Sequence, residues 1–388
     1  MIQTIDKSEN KNRVAIIAVG YNRYFALNRL LNSLEAAIYP FSDIPLIISI
    51  DCSGDENVYN LARDFKWSHG DKYVNIEKER LGLVKHIYQC GDMTRFFRAV
   101  ILLEDDLFVA PFFYNYVLQA LDNYGNINCI SQIALYHNET NGFVGLPFEP
   151  LQTGADVVLH QSTCTWGQCW NERMWNEFCN WRDTKCTDDI IQAQEMPERI
   201  KSWTRAWSRY YDAFICQNNK FVVYPLVSVT TNFCDAGVHG AGNNSVVQVN
   251  LQQGDFKYRM PPIDKIVKYD SFWNNLNVPE WLSIDKQNIC LDLYGCHAVK
   301  NQRYILSTRK LPYKIIKSFS LNLRPIELNV KYKIEGNGIN LYDTAFSGSG
   351  SGKFSAEVAE YFLKGFNVRL LPQYIFKSVL AYIKMRIK

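Results

Sequence analysis

Short, largely apolar runs punctuate the first third of the chain, separated by polar or amphipathic stretches. The runs occupy 14–19 (VAIIAV), 45–50 (PLIISI), 73–76 (YVNI), 99–103 (AVILL) and 129–134 (CISQIA). Runs of this length, bounded by turn residues, read as strands buried on both faces. Between them, 25–38, 56–65, 82–98 and 111–124 carry apolar residues at helical spacing. This alternation predicts an α/β fold with a mostly parallel central sheet flanked by helices. Ligands of such sheets collect beyond the carboxyl ends of the strands. Two of the expected strands end in acids there: Asp51 follows 45–50, and Glu104, Asp105 and Asp106 follow 99–103.

Beyond residue 150 the pattern changes. Trp166, Trp170, Trp175, Trp181, Trp203 and Trp207 crowd together, and a loop rich in Gly and Asn follows at 234–244. Trp166 and Trp170 suit either stacking on an acceptor sugar or core packing at helical spacing. The segment 246–310 reads as a loop-rich continuation, and 311–388 as a basic C-terminal extension interrupted by a flexible SGSGSG linker at 347–352. The expected organisation is a catalytic domain over 12–245, with a nucleotide-binding part at 12–135 and an acceptor part at 136–245.

Charge sharpens the distinction between body and tail. Net charge is only +3, yet residues 309–388 hold 14 basic and 5 acidic residues. A basic end on an acidic body favours an anionic partner, a membrane surface before nucleic acid. In the closing segment 371–388, Ile375, Val379, Leu380 and Ile383 fall near one helical face, with Lys377, Lys384, Arg386 and Lys388 supplying charge. That pattern suits a helix lying on an anionic membrane, or one docked on the body. The 11 cysteines form no CxxC pair, the first residues are polar, and no apolar run reaches spanning length. The expectation is a cytoplasmic chain, peripheral on the inner membrane's cytoplasmic face, with reduced thiols.

Three consecutive carboxylates repel one another, so an apolar strand ending in Glu104, Asp105 and Asp106 points to a neutralising cation. Hard oxygens suit Mn²⁺ or Mg²⁺, which can bridge a diphosphate and stabilise it as it leaves. The structural alternative is an acidic start to the helix expected at 111–124. Asp51 suits contact with a uracil imide or ribose hydroxyls, or a turn. No G-x-S-x-G nucleophile motif occurs. The stretch 347–353 fails as a phosphate loop, because Ser347 stands where Gly is needed and Phe354 follows the lysine.

Four segments, taken in order, resemble the N-acetylglucosaminyltransferase I family of A-type glycosyltransferases. They are the first strand and its turn, the strand ending in Asp51-Cys52, LLEDDLFVAPFFYNY at 102–116, and PLVSVTTN at 225–232. TWGQCW at 165–170 also resembles bacterial polysaccharide glycosyltransferases of that fold. The resemblance covers roughly 12–245. It implies a UDP-sugar donor, Mn²⁺ and inversion at the anomeric carbon. Arg23 would approach the uridine and diphosphate, Asp51 the uracil, and His86 the nucleotide. Glu104 and Asp105 would face the donor sugar or ribose, Asp106 the metal, and Val238 and His239 the phosphates. Asp212 would be the general base, with Asp188 and Asp189 as rivals. The family pairs the Cys52 position with a cysteine where this chain has Tyr21, which favours a bacterial glycan over a Golgi acceptor.

The expected function is transfer of a hexose or N-acetylhexosamine, GlcNAc favoured, from a UDP-sugar to a bacterial surface glycan or lipid-linked oligosaccharide. The alternatives are a non-catalytic sugar-binding or scaffold protein, or a sugar nucleotidyltransferase. The absence of a Gly- and Lys/Arg-bearing triphosphate loop after 14–19 argues against the last.

Overall fold

The structure is a computed structural model that describes residues 6–191, 195–204, 206–236, 247–298, 302–363, 368–373, 375–376 and 379–380. Two compact units emerge: one contains residues 1–138, 152–233 and 246–271, the other 139–151, 234–245 and 272–388. The principal elements are numbered in chain order below.

The first unit is built on a nine-stranded sheet. Its strands are β1 (Val14–Gly20), β2 (Leu46–Ile50), β3 (Lys72–Ile76), β4 (Ala99–Glu104), β6 (Ile130–Ala134), β7 (Val157–His160), β8 (Gln168–Asn171), β9 (Phe221–Pro225) and β11 (Lys268–Tyr269). Their order across the sheet is β11-β7-β9-β6-β8-β4-β1-β2-β3. The run β3-β2-β1-β4 is parallel, β8 is inserted antiparallel between β4 and β6, and β9 is parallel to β6. A separate two-stranded piece pairs β5 (Leu107–Val109) with β10 (Thr230–Asn232). The α/β architecture expected from the alternation is thus the one observed.

The apolar runs form strands because they lose water on both faces. All seven residues of β1 and all five of β2 are buried. Helix α1 (Tyr24–Glu35) turns Ala26, Leu27, Leu30, Leu31 and Leu34 inward. Helix α2 (Glu56–Asp64) opens with Asp55 accepting a bond from Asn57 N at 3.0 Å. At its other end Lys72 Nζ donates to the carbonyls of Ala62, Arg63 and Phe65, which have no helical partner. Helix α3 (Leu83–Gly91) is shorter than its 82–98 pattern, and a 3₁₀ turn follows at Asp92–Arg95. The end of α3 is closely packed. A Cβ on Gly91 would lie 2.2 Å from the Trp175 ring of helix α5 (Glu172–Arg182). Helices α4 (Phe113–Tyr124) and α6 (Trp207–Gln217) complete the unit.

Trp170 is buried in ring contact with Trp175, Trp207 and Tyr211, so for this ring the core reading holds over sugar stacking. Trp166 differs. It is half-buried against Tyr136, just past the carboxyl end of β6.

The second unit holds a four-stranded sheet of β12 (Ile289–Asp292), β13 (Tyr304–Ser307), β15 (Ile339–Ser347) and β14 (Tyr313–Phe319), in that order. The boundary expected at 310 falls inside this sheet, whose core joins Cys290 and Ile305 to Leu311 and Tyr342. Asp292 binds it internally, accepting from Ser307, His297 N and Arg309. Nor is 347–352 a free linker. Gly348 N donates to Pro312 O and Gly352 N to Lys310 O, and a Cβ at Gly350 would meet Leu311 at 2.4 Å. Helix α7 (Ala356–Phe362) follows, capped by Ser355.

Candidate functional site

The acids singled out above stand at the carboxyl ends of β2 and β4, and the turn after β1, between those strands, carries Arg23. Glu104 is the last residue of β4 and pairs in register with Val19 of β1. Asp105 and Asp106 form the tight turn into β5. Helix α4 begins only at Phe113, so the acids do not cap a helix. The antiparallel partner β10 fixes the far side of this turn. Asn232 stands opposite Leu107, and Phe233 N donates to Asp106 O at 2.9 Å.

Arg23 comes from the turn after β1, directly before α1. Its guanidinium reaches both aspartates, with Nε donating to Asp105 Oδ2 at 3.2 Å and Nη2 lying against Asp105 Oδ1. Its contact with Asp106 Oδ2 is 3.3 Å. Burial works against the charge on Arg23, and the two carboxylates outweigh it, so its pKa is raised. Asp105 is the more enclosed acid, and Asp106 is the one with an open edge, at 6% and 19% side-chain exposure. Glu104 lacks such a partner. Burial, and then the charges of Asp106 and Asp105, push its carboxyl up to about 8, with Arg23 only partly offsetting them.

The hard oxygen donors of the triplet fit a divalent cation in kind. Among the described residues, however, no three His, Cys, Asp or Glu side chains gather as a cage. A cation here would rest on Asp106 together with phosphate oxygens and water, an arrangement that Mg²⁺-like ions commonly adopt with phosphorylated substrates.

Asp51 lies at the end of β2 as expected, but its carboxylate is buried and accepts from the backbone. Oδ1 takes Cys52 N and Leu81 N, each at 2.8 Å, and Oδ2 takes Gly82 N at 2.9 Å. It therefore anchors the 81–82 turn that starts α3. The neighbouring 53–54 turn is held by Tyr59 Oη, which accepts from Ser53 N and Gly54 N. His86, one turn into α3, is also buried, and its Nε2 lies 2.7 Å from Ser49 Oγ of β2. Burial lowers its pKa against the pull of Asp51 and Glu77, so the ring is neutral near pH 7. Both residues brace the turns between β2 and α3.

Asp212 is enclosed in the core of the unit. It lies on α6, 3% exposed, and Oδ1 accepts from Thr163 N at 2.7 Å. Burial raises its carboxyl to about 7, with Thr163 pulling the other way. Asp212 shares this enclosure with most of α6, whose Tyr211 Oη donates to Ser131 O of β6. Asp189 is an exposed residue bonded to Cys186 N. Val238 and His239 lie outside the described residues.

Sequence reasoning did not anticipate that Arg23 would bind the triplet itself. It also missed the β10 rim, where the Arg29 guanidinium stacks on Phe233 at 3.8 Å. Gly167 makes that rim fit. Its φ is +96°, and a Cβ would lie 3.0–3.1 Å from Thr230 and Leu135. All 11 cysteines are free, Cys52 among them, its sulfur near Tyr59 Oη.

No family model and no curated protein matches the chain. Among solved structures it is similar to residues 1–349 of S. aureus TarS in complex with UDP-GlcNAc. That match has 12% identity and a TM-score of 0.38, covering 58% of this chain and 60% of the other. It is similar to GalNAc-T7 with UDP, GalNAc and Mn²⁺ at 14% identity and a TM-score of 0.39, covering 56% and 43%. A mannosyltransferase, PcManGT from Pyrobaculum calidifontis in complex with GDP-Man and Mn²⁺, gives 16% identity and 0.26, covering 34% and 37%. The chain thus spans less than two thirds of each of these structures, and likeness of this degree leaves the chemistry to be argued from the site.

Proposed function

We propose that the chain is a nucleotide-sugar glycosyltransferase whose donor binds over the turns that end β1, β2 and β4. The observation that carries this reading is the acidic turn Glu104-Asp105-Asp106 at the end of a buried strand, faced by Arg23 from the adjacent strand's turn. One guanidinium and one partly open carboxylate, side by side, are what a diphosphate and its cation need. A divalent ion on Asp106 would supply Lewis-acid stabilisation of the departing diphosphate. Arg23 would orient the phosphates, and the Asp51-anchored turn at 81–82 would shape the nucleoside side.

UDP is the proposed carrier and GlcNAc the favoured sugar, with transfer by inversion to a hydroxyl of a bacterial glycan or a lipid-linked oligosaccharide. A general base must come within hydrogen-bond reach of that hydroxyl. Asp212, enclosed behind Thr163, does not offer this reach, so the base is better sought at the rim of the site. Trp166, half-buried and backed by the buried Tyr136 ring, is the proposed stacking surface for the acceptor. The membrane contact is proposed for the tail, where Leu370, Ile375, Phe376, Val379 and Leu380 are exposed. Among the described residues no helix is long and apolar enough to cross a membrane.

Calorimetric titration with UDP-GlcNAc and GDP-mannose, with and without Mn²⁺, tests the reading. Mn²⁺-dependent binding to the native chain and its loss in Asp106→Asn are expected. Metal-stimulated binding that survives this substitution would remove Asp106 from the site. Binding without transfer to any glycan would favour the non-catalytic alternative.

A further inference from the structure

Arg23 and a divalent cation would seek the same carboxylates. An arginine guanidinium is permanently charged, carries five donors and has no acceptor, so it is a complete counterion for Asp105 and Asp106 by itself. Its grip on both is close, through Nε to Asp105 at 3.2 Å and the 3.3 Å contact to Asp106. The residue is well placed to let go. It stands two residues beyond the turn's start at Tyr21 and precedes α1 without making any side-chain cap bond to it, so moving the guanidinium breaks no helix cap. Its side chain keeps 22% exposure.

A cation approaching Asp106 alone must compete with this charge already in place. A nucleoside diphosphate changes the balance in two ways. Its oxygens match the guanidinium fork and draw it off the aspartates. They also give the cation ligands that the protein lacks.

We propose that Arg23 is a built-in counterion that makes cation binding at Asp106 conditional on a diphosphate. The inference rests on reading the site as a diphosphate site. It adds that metal and nucleotide bind cooperatively and that Arg23 is the residue that couples them. Linkage requires the coupling to be reciprocal: UDP must tighten Mn²⁺ by the factor by which Mn²⁺ tightens UDP.

The test measures free Mn²⁺ by electron paramagnetic resonance as the full chain is titrated, with and without saturating UDP, and UDP binding by calorimetry with and without Mn²⁺. The native chain should bind Mn²⁺ weakly alone and about tenfold or more tightly with UDP, within the usual range of coupling between sites. Arg23→Gln should bind Mn²⁺ alone more tightly than the native chain and UDP more weakly, with the coupling reduced to about twofold or less. Arg23→Lys keeps the charge without the fork, should retain part of the coupling, and serves where Arg23→Gln does not fold by circular dichroism. Equal Mn²⁺ affinity with and without UDP in the native chain overturns the proposal while leaving nucleotide binding intact, as does coupling undiminished in a folded Arg23 variant. Failure of UDP and UDP-GlcNAc to bind under any condition removes the nucleotide reading, and the coupling with it.

Discussion

Asp212 shows how one buried carboxylate can shape the pH response of a large chain. Its carboxyl sits at about 7 in the folded state against an ordinary 3.8. Between those values the folded chain keeps a proton that the unfolded chain has released. Stability therefore falls as pH rises through this window and then stays low. Asp212→Asn retains an oxygen for Thr163 N and has no charge to bury. Its melting temperature should match the native chain near pH 4 and exceed it by several degrees above pH 7, for a gain of order a few kcal/mol. Scanning calorimetry at the two pH values, with transfer assayed in parallel, decides the residue's part. Unchanged stability with lost transfer would restore it as the base; we expect raised stability with transfer retained. The sequence brought out Asp212 only by its place before a Pro-x-x-Ser segment. It could not show that Asp212 is enclosed, because the partner that receives its carboxylate, Thr163 N, stands 49 residues earlier in the chain. Arg23 and the acids were legible as residues, but their pairing across more than 80 positions was not.

At the scale of elements, the parallel half of the sheet was legible because its strands are short, mostly apolar runs bounded by turn residues. Expected and observed limits agree closely for β1, β2, β3, β4 and β6. β8 and β10 were not. They have four and three residues, carry Gln168, Thr230, Thr231 and Asn232 into buried positions, and lack any period to read. The α3–α5 contact offers a sharp test of packing. Gly91→Ala places a methyl group into the face of Trp175, and neither the ring, bonded to Asp92, nor α3 can shift freely. A loss of about 1–3 kcal/mol is expected by urea denaturation, with unchanged nucleotide affinity in the surviving folded fraction. Smaller effects would mean that α3 slides to make room.

For the molecule as a whole, the charge asymmetry was visible in the sequence, whereas the second unit's sheet was not. Its strands lie in polar stretches, and β14 leaves Ile315 and Ile316 exposed, against the usual alternation. The tail's uncovered apolar side chains, joined to its basic surplus, give a measurable expectation. Binding to vesicles containing anionic lipid should fall about tenfold on removal of 371–388, and also in high salt. Vesicle binding indifferent to both would place the tail elsewhere. The pairing of β11 with β7 has a practical side. A fragment cut at 245, where the expected catalytic domain ends, would omit residues 268–269 and lay open a hydrogen-bonding edge along β7, where Val157, Val158 and Leu159 are buried. Such an edge recruits other chains. A shortened protein meant for crystals or binding assays should therefore run past Ser271, and one that stops earlier should aggregate.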